Sequence, residues 1–222
     1  MKYRFLILFA LLSSLFSKPL VEENSIHPLV DNNDWKMIEV FDDGVRLYEK
    51  QLGQKSLKAY RIETETEINK EKLVNLFESV QNYREILPSA KNITFDIIDN
   101  QKTVITAYQH IEIPLINNRH YFYKLYRSNE DQDYSYWQLI QVDDQLHEQI
   151  LNKNNLRANP IKLTKGAGVY RVVTETGKNI VQYSLFLDSE GRIPEFIANG
   201  ANKRGLINMF RDILNYSEKV GS

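Results

Sequence analysis

Hydrophobic residues recur along this chain with two periods, and the switches between them mark its elements. Over residues 57–68 the period is two. Tyr60, Ile62, Thr64, Thr66 and Ile68 fall on one face and Arg61, Glu63, Glu65 and Glu67 on the other, which predicts a strand in a sheet with one wet side. Residues 45–49 form an earlier strand, entered through the turn Phe41-Asp42-Asp43-Gly44-Val45, where Gly44 can supply positive φ. After Asn69 the period becomes helical. Leu73, Leu76, Phe77 and Val80 recur at three- and four-residue spacing, and Asn69 is placed to cap their helix. A shorter helix over residues 82–87 stops at Pro88, which cannot continue it.

The period then returns to two. Ile93, Phe95 and Ile97 alternate in one strand, and Ile105, Ala107, Ile111 and Ile113 in the next, with Tyr108, His110 and Glu112 on its opposite face. Residues 114–118 break the pattern before two aromatic strands, 121–126 and 134–142. Residues 143–159 carry a helical excursion around Leu146, Ile150 and Leu151 within a long loop. Strands at 169–174 and 180–187 flank the hairpin turn Thr176-Gly177-Lys178-Asn179. Two strands, two helices, about six strands and a last helix are segregated in order, which predicts an α+β fold with an antiparallel sheet.

The last stretch, residues 192–222, is read as one long helix entered through Pro194, whose missing N–H is harmless at the first helical position. At 100° per residue, Phe196, Gly200, Ile207, Phe210 and Leu214 share a stripe flanked by Leu206 and Ile213. Asn199 and Lys203 project from the same stripe, while Arg204, Asn208, Arg211, Asp212 and Asn215 lie opposite. A solid core would not select a lysine, so the helix is expected to wall a pocket or an open cleft. Lys203 then has two readings: a stem covering apolar surface with its ammonium in water, or a contact to a ligand carboxylate, phosphate or carbonyl. Asn199 divides in the same way between helix-to-sheet hydrogen bonding and ligand contact.

With 222 residues, 42% of them hydrophobic and 26% charged, the chain has room for one domain and a sizeable core. Its start differs in kind. Met1-Lys2-Tyr3-Arg4 is basic, residues 5–16 form an apolar run and Ser17 is small, the pattern of a secretory signal. A run of about twelve residues, ten of them apolar, falls short of the ~20 that cross a bilayer as a helix. The expected division is a signal peptide over 1–17, a polar linker over 18–34 and a folded domain over 35–222, with a periplasmic or secreted destination. Loss of Lys2 and Arg4 takes the formal net charge from −1 to −3, which argues against a nucleic-acid partner. The chain has no cysteine, so its stability must come from packing.

Catalytic and metal motifs do not emerge. His110 and Glu112 share a strand face without a supporting ligand cluster, so a solvated sheet face is the expectation there. Gly166-Ala167-Gly168 lacks the third glycine and following helix of a dinucleotide site, and no serine sits in a Gly-x-Ser-x-Gly elbow. No cofactor is expected. The tyrosines are expected to pack the sheet with their hydroxyls at its rim.

Five stretches resemble the START-type lipid-transfer domains of the helix-grip superfamily, especially the small bacterial members. They are Asp43-Gly44-Val45-Arg46-Leu47-Tyr48, residues 83–88, residues 114–121, residues 168–187 with Tyr183, and Asp188-Ser189-Glu190-Gly191-Arg192-Ile193-Pro194 leading into the last helix. Ile86 replaces a tryptophan usual in that family, and His120 stands where many relatives carry aspartate. The resemblance implies a curved antiparallel sheet wrapped around the C-terminal helix, with two short helices after the second strand and a tunnel for an apolar ligand. It implies a monomeric carrier of a lipid or other apolar small molecule, with transient membrane contact. The alternative is a cyclase- or hydrolase-like enzyme using the same cavity, for which Lys203, Asn199 and His110 are the acid–base candidates. A third reading is an interaction module with a filled core. Phe196, Asn199, Gly200, Lys203, Ile207, Phe210 and Arg119 are the expected ligand-binding residues. Arg119 has an alternative role in an ion pair that ties down the preceding loop.

The basic start and short apolar run predict export. N-terminal sequencing of protein from its native host should find a mature chain beginning near Lys18, and membrane-embedded material retaining Met1 would contradict this.

Overall fold

In the computed structural model, residues 26–53, 57–113, 116–130, 132–154, 160–188 and 195–220 are described, with the side chains of residues 195–198 excepted. The expected signal segment, the turn over 189–194 and Pro194 lie outside them. Among the described residues a ten-stranded sheet curves around a long C-terminal helix.

The chain opens with α1 (His27–Val30) and β1 (Lys36–Val40), then β2 (Arg46–Gln51) and β3 (Lys58–Thr66). Next come α2 (Lys70–Glu78), a single 3-10 turn (Val80–Asn82) and α3 (Tyr83–Ile86). Strands β4 (Ile93–Asn100), β5 (Val104–Ile111), β6 (Arg119–Tyr126) and β7 (Tyr134–Ile140) follow, then α4 (Asp144–Lys153), β8 (Ile161–Lys162), β9 (Gly166–Glu175), β10 (Lys178–Leu187) and α5 (Glu195–Lys219). The main path runs β1-β2-β3-β10-β9-β7-β6-β5-β4, antiparallel throughout, and short β8 pairs parallel with the start of β6. Register shifts in β1 and β4 add local twist near the sheet edges.

Local signals account for most boundaries. Asn69 Oδ1 accepts from Lys72 N–H at 3.1 Å to start α2, and Asp143 caps α4 in the same way through Leu146 N–H at 2.8 Å. The β9–β10 hairpin turns through Thr176 and Gly177, both at positive φ. Two strands were not anticipated: β1, whose Met37 and Val40 are exposed, and two-residue β8.

The concave face is divided. One end is filled by α2, whose Leu73 and Phe77 are fully buried, with Phe77 stacked on Tyr170 at 4.3 Å between centroids. Leu206, Phe210 and Ile213 of α5 complete that core, and burying each contributes on the order of 1.5–3 kcal/mol. Polar contacts tie α5 to its surroundings on both flanks. Lys203 Nζ meets Glu39 at 2.8 Å, Arg211 meets Asp43 at 2.8 Å, and Ser89 N–H donates to Asp212 at 3.0 Å. Exposed pairs of this kind contribute about 0–1 kcal/mol each, so the packing of Leu206, Phe210 and Ile213 holds the helix and sets its rotation.

The convex face is only partly the wet side the sequence suggested, with Glu65 and Glu67 exposed. Arg61 is buried there: its guanidinium lies 4.3 Å from the Trp35 ring and donates to Ser184 Oγ, Asn32 Oδ1 and the Leu29 carbonyl. Burial lowers its pKa to about 10. These contacts pin residues 26–35 onto the sheet, so the expected linker is already folded structure from Ile26 onward.

A second cover lies over β5 and β6. His110 and His120 are cross-strand partners, 2% and 1% exposed, and His147 of α4 stacks on His120 at 5.1 Å. The expectation of a solvated His110 face is corrected, because α4 packs there. His110 Nε2, His120 Nδ1 and His147 Nε2 are buried without a hydrogen-bond partner among the described residues. No group of His, Cys, Asp and Glu among those residues is arranged to hold a metal. Burial, then the nearby His147, Lys162 and His110, lowers the His120 pKa from 6.5 to about 4.

In the unfolded chain His120 binds its proton near pH 6.5, so between about 6.5 and 4 the unfolded state holds the extra proton. Its contribution to stability is therefore full above that window and lost as pH falls through it. Urea midpoints should drop across the window, and His120→Phe should flatten much of the fall, with His110, also lowered by burial, leaving a residual slope. Equal slopes in both proteins would remove His120 from the account.

Candidate functional site

The other end of the concave face is hollow. A cavity of about 410 Å³ lies between α5 and the inward side chains of β4, β5, β6, β7 and β10. On the helix side its wall consists of Ala201, Asn202, Gly205, Leu206 and Met209, with Arg204 and Asn208 at the rim. These positions are mostly short or exposed, so α5 leaves the space open. A Cβ built on Gly205 would meet nothing within 4 Å.

The sheet side follows from the strand period of two. Ile93 and Phe95 point inward from β4, Gln109 and Ile111 from β5, and Arg119, Tyr121, Tyr123 and Leu125 from β6. Trp137 of β7 and Tyr183, Leu185 and Leu187 of β10 close the inner end. The indole can lie across the sheet because its cross-strand partner is Gly168, where a Cβ would collide with Trp137 Nε1 and Cε2. Trp137 Nε1–H donates to the Tyr183 hydroxyl at 3.0 Å in a buried contact. Asn202 ties the helix to the same wall by donating to the Leu187 carbonyl at 2.8 Å.

The cavity's charges are few. Glu112 is the one carboxylate among its described lining residues, and none of those residues is His, Cys or Lys. Arg119 is 3% exposed, donates to the Asn117 carbonyl, and has its pKa lowered by burial. The tyrosines act as neutral phenols. Burial raises Tyr83, Tyr121, Tyr123 and Tyr183 well above their ordinary value, so none of the four is a base at neutral pH.

No protein-family model matches the sequence, and no curated protein matches it significantly. Solved structures do. A STAR-related lipid transfer protein fragment from Xanthomonas axonopodis superposes with a TM-score of 0.64 at 16% identity, over 84% of this chain and 99% of its own. Human StAR-related lipid transfer protein 5 gives 0.65 at 14% identity, over 89% and 92%. The chain has the START-type helix-grip fold. The Zhui aromatase/cyclase from a Streptomyces species resembles this START-type fold at a TM-score of 0.53 and 8% identity, over 75% of this chain and 96% of its own.

Of the site residues expected from sequence, the START-type architecture brings Arg119 to the cavity. The Phe196 side chain lies outside the described residues. Asn199 is partly buried, makes other contacts and does not line the cavity. Four assignments are corrected. Gly200 is exposed with open space around it, Lys203 pairs with Glu39 of the edge strand, and Ile207 packs against the core on that same side. Phe210 is 1% exposed inside the filled core, not on the cavity. The cavity stripe 201/205/208 lies on another face of the helix from the stripe read from the sequence, rotated by roughly 140° at 100° per residue. His110, an acid–base candidate from sequence, lies on the opposite face of the sheet under α4. Ile86, which stands where relatives carry tryptophan, is buried in core and does not line the cavity.

Gly205 is one of the positions sequence reasoning missed. Gly205→Leu should fill the cavity and weaken binding of a fluorescent fatty-acid probe at least tenfold. Stability should hold or rise, because replacing a helical glycine contributes about 0.5–1 kcal/mol. Gly200→Leu should leave probe affinity unchanged. Probe titration and thermal melts check both, and equal affinities in the two variants would displace the site from this helix face.

Proposed function

We propose that this protein binds one apolar small molecule or lipid chain in the cavity and shields it from water without converting it. The observation that carries the proposal is the hollow end of the grip, about 410 Å³ walled largely by aliphatic and aromatic side chains, within the ~300–1,000 Å³ range of small-molecule sites. The similar structures named as lipid transfer proteins support it. Arg119, at the start of β6 near the exposed mouth residue Ile116, is the proposed contact for a carboxylate, phosphate or carbonyl at the ligand's polar end. In this reading the protein is an exported, monomeric carrier, periplasmic or secreted, that touches membranes transiently while loading.

The enzyme alternative draws support from the aromatase/cyclase likeness. Against it stands the cavity's chemistry, in which the phenols hold their protons and Glu112 is the one carboxylate in the described lining.

A panel of fatty acids, sterols and quinones tests the proposal. A ligand at a hundredfold excess over Kd stabilises the native state by about 2.7 kcal/mol, a rise in Tm of roughly 5–10 °C for a chain of this size. Absence of any shift, together with no displacement of a fluorescent fatty acid, would refute the carrier reading. Mass spectrometry of recovered ligand checks the second half, and a chemically altered product would favour the enzyme.

A further inference from the structure

The inner end of the cavity is not uniformly apolar. Trp137 Nε1 is a donor only, so in its 3.0 Å contact with Tyr183 the phenol oxygen accepts. The Tyr183 hydroxyl proton must then go elsewhere, and no acceptor for it exists among the described residues. Tyr123, 5% exposed and also lining the cavity, has a hydroxyl with no hydrogen-bond partner among those residues. By contrast Tyr121 is engaged by the Gln109 side chain, and Tyr83 donates to the Phe77 carbonyl. Two neighbouring phenols are thus left with donors to offer, against walls supplied by Leu125, Leu185 and Trp137.

The geometry points to a two-donor site, Tyr123 and Tyr183, that selects a ligand carrying a carbonyl oxygen on the apolar end that enters first. This deepens the reading of the cavity as a ligand site and rests on it. The phenols are separate from Arg119, which lies four residues before Tyr123 on the same strand, about 13 Å along it. Burial keeps both hydroxyls protonated, and ionisation of Tyr183 would further disfavour that of Tyr123. They therefore donate to a neutral acceptor and do not form a base. A hydrocarbon in the same place would leave both donors buried without partners, which is costlier than the bonds are worth when made. That asymmetry makes the pair a filter for carbonyl-bearing ligands over hydrocarbons of equal shape.

Fluorene and 9-fluorenone differ by that carbonyl and provide the test. The wild-type protein should bind fluorenone about tenfold more tightly than fluorene, and the bound carbonyl stretch should move to lower wavenumber as it accepts hydrogen bonds. Tyr183→Phe and Tyr123→Phe should each reduce the preference several-fold, and the double variant should abolish it along with the infrared shift. Tyr123→Phe removes an oxygen that has no protein partner, so it keeps the test open if Tyr183→Phe, which strands the Trp137 N–H, fails to fold. Equal affinities for the two probes in the wild type would overturn the donor site while leaving the ligand cavity standing. An infrared shift that persists in Tyr123→Phe at undiminished preference would also overturn it. Failure of both probes, together with the whole lipid panel, would remove the cavity reading and this inference with it.

Discussion

Residue 168 has no room for a side chain, and the inner wall of the cavity depends on that. Trp137 crosses from β7 over the backbone of β9 at Gly168 and reaches Tyr183 of β10 with its indole N–H. A single close approach therefore links three neighbouring strands on the concave face. Tyr121 and Tyr123 pack against the same indole from β6, at 6.4 and 6.2 Å between centroids. With the indole held flat at this point, the side chains beyond it face an open volume.

The sheet is wider than one helix can cover, and the chain fills only part of the difference. Leu73 and Phe77 of α2, with Leu206, Phe210 and Ile213 of α5, occupy one end as solid core. At the other end α5 presents Ala201, Asn202 and Gly205, whose small volume leaves the hollow. Hydrophobic packing positions the helix along the sheet, while Lys203–Glu39 and Arg211–Asp43 anchor it to β1 and the turn after it. The rotation that follows turns Gly205 towards the cavity and Gly200 away from it.

The outer face is covered by polar residues that alternation alone would assign to solvent. Arg61 is held by Trp35 and three hydrogen-bond acceptors in or beneath the N-terminal segment. His110 and His120 are enclosed by α4. Neither cover reaches the cavity, yet each buttresses strands whose opposite side chains line it. His120 and Phe122 face α4 while their neighbours Arg119, Tyr121 and Tyr123 face the hollow.

Local periodicity in the sequence determined most of the strands, the cap at Asn69, the β9–β10 hairpin and the existence of a long last helix. Each of these is written in residues adjacent along the chain. The α+β class followed from their order, and the resemblance to START domains supplied the wrapping of the sheet around the helix. What the sequence could not mark was the short edge strands β1 and β8, whose definition comes from pairing with distant partners. It also misplaced the cavity on α5, because hydrophobic periodicity reports where a helix is buried against atoms. A wall of empty space is built from small residues such as Ala201 and Gly205, which carry no such signal. Arg119 was legible from its place at a strand start in a matching stretch, whereas Tyr123 and Tyr183 looked like ordinary packing tyrosines. Only the tertiary structure decided which hydroxyls have protein partners, since Trp137, Gly168 and Tyr183 sit on three different strands and meet only when the sheet is assembled.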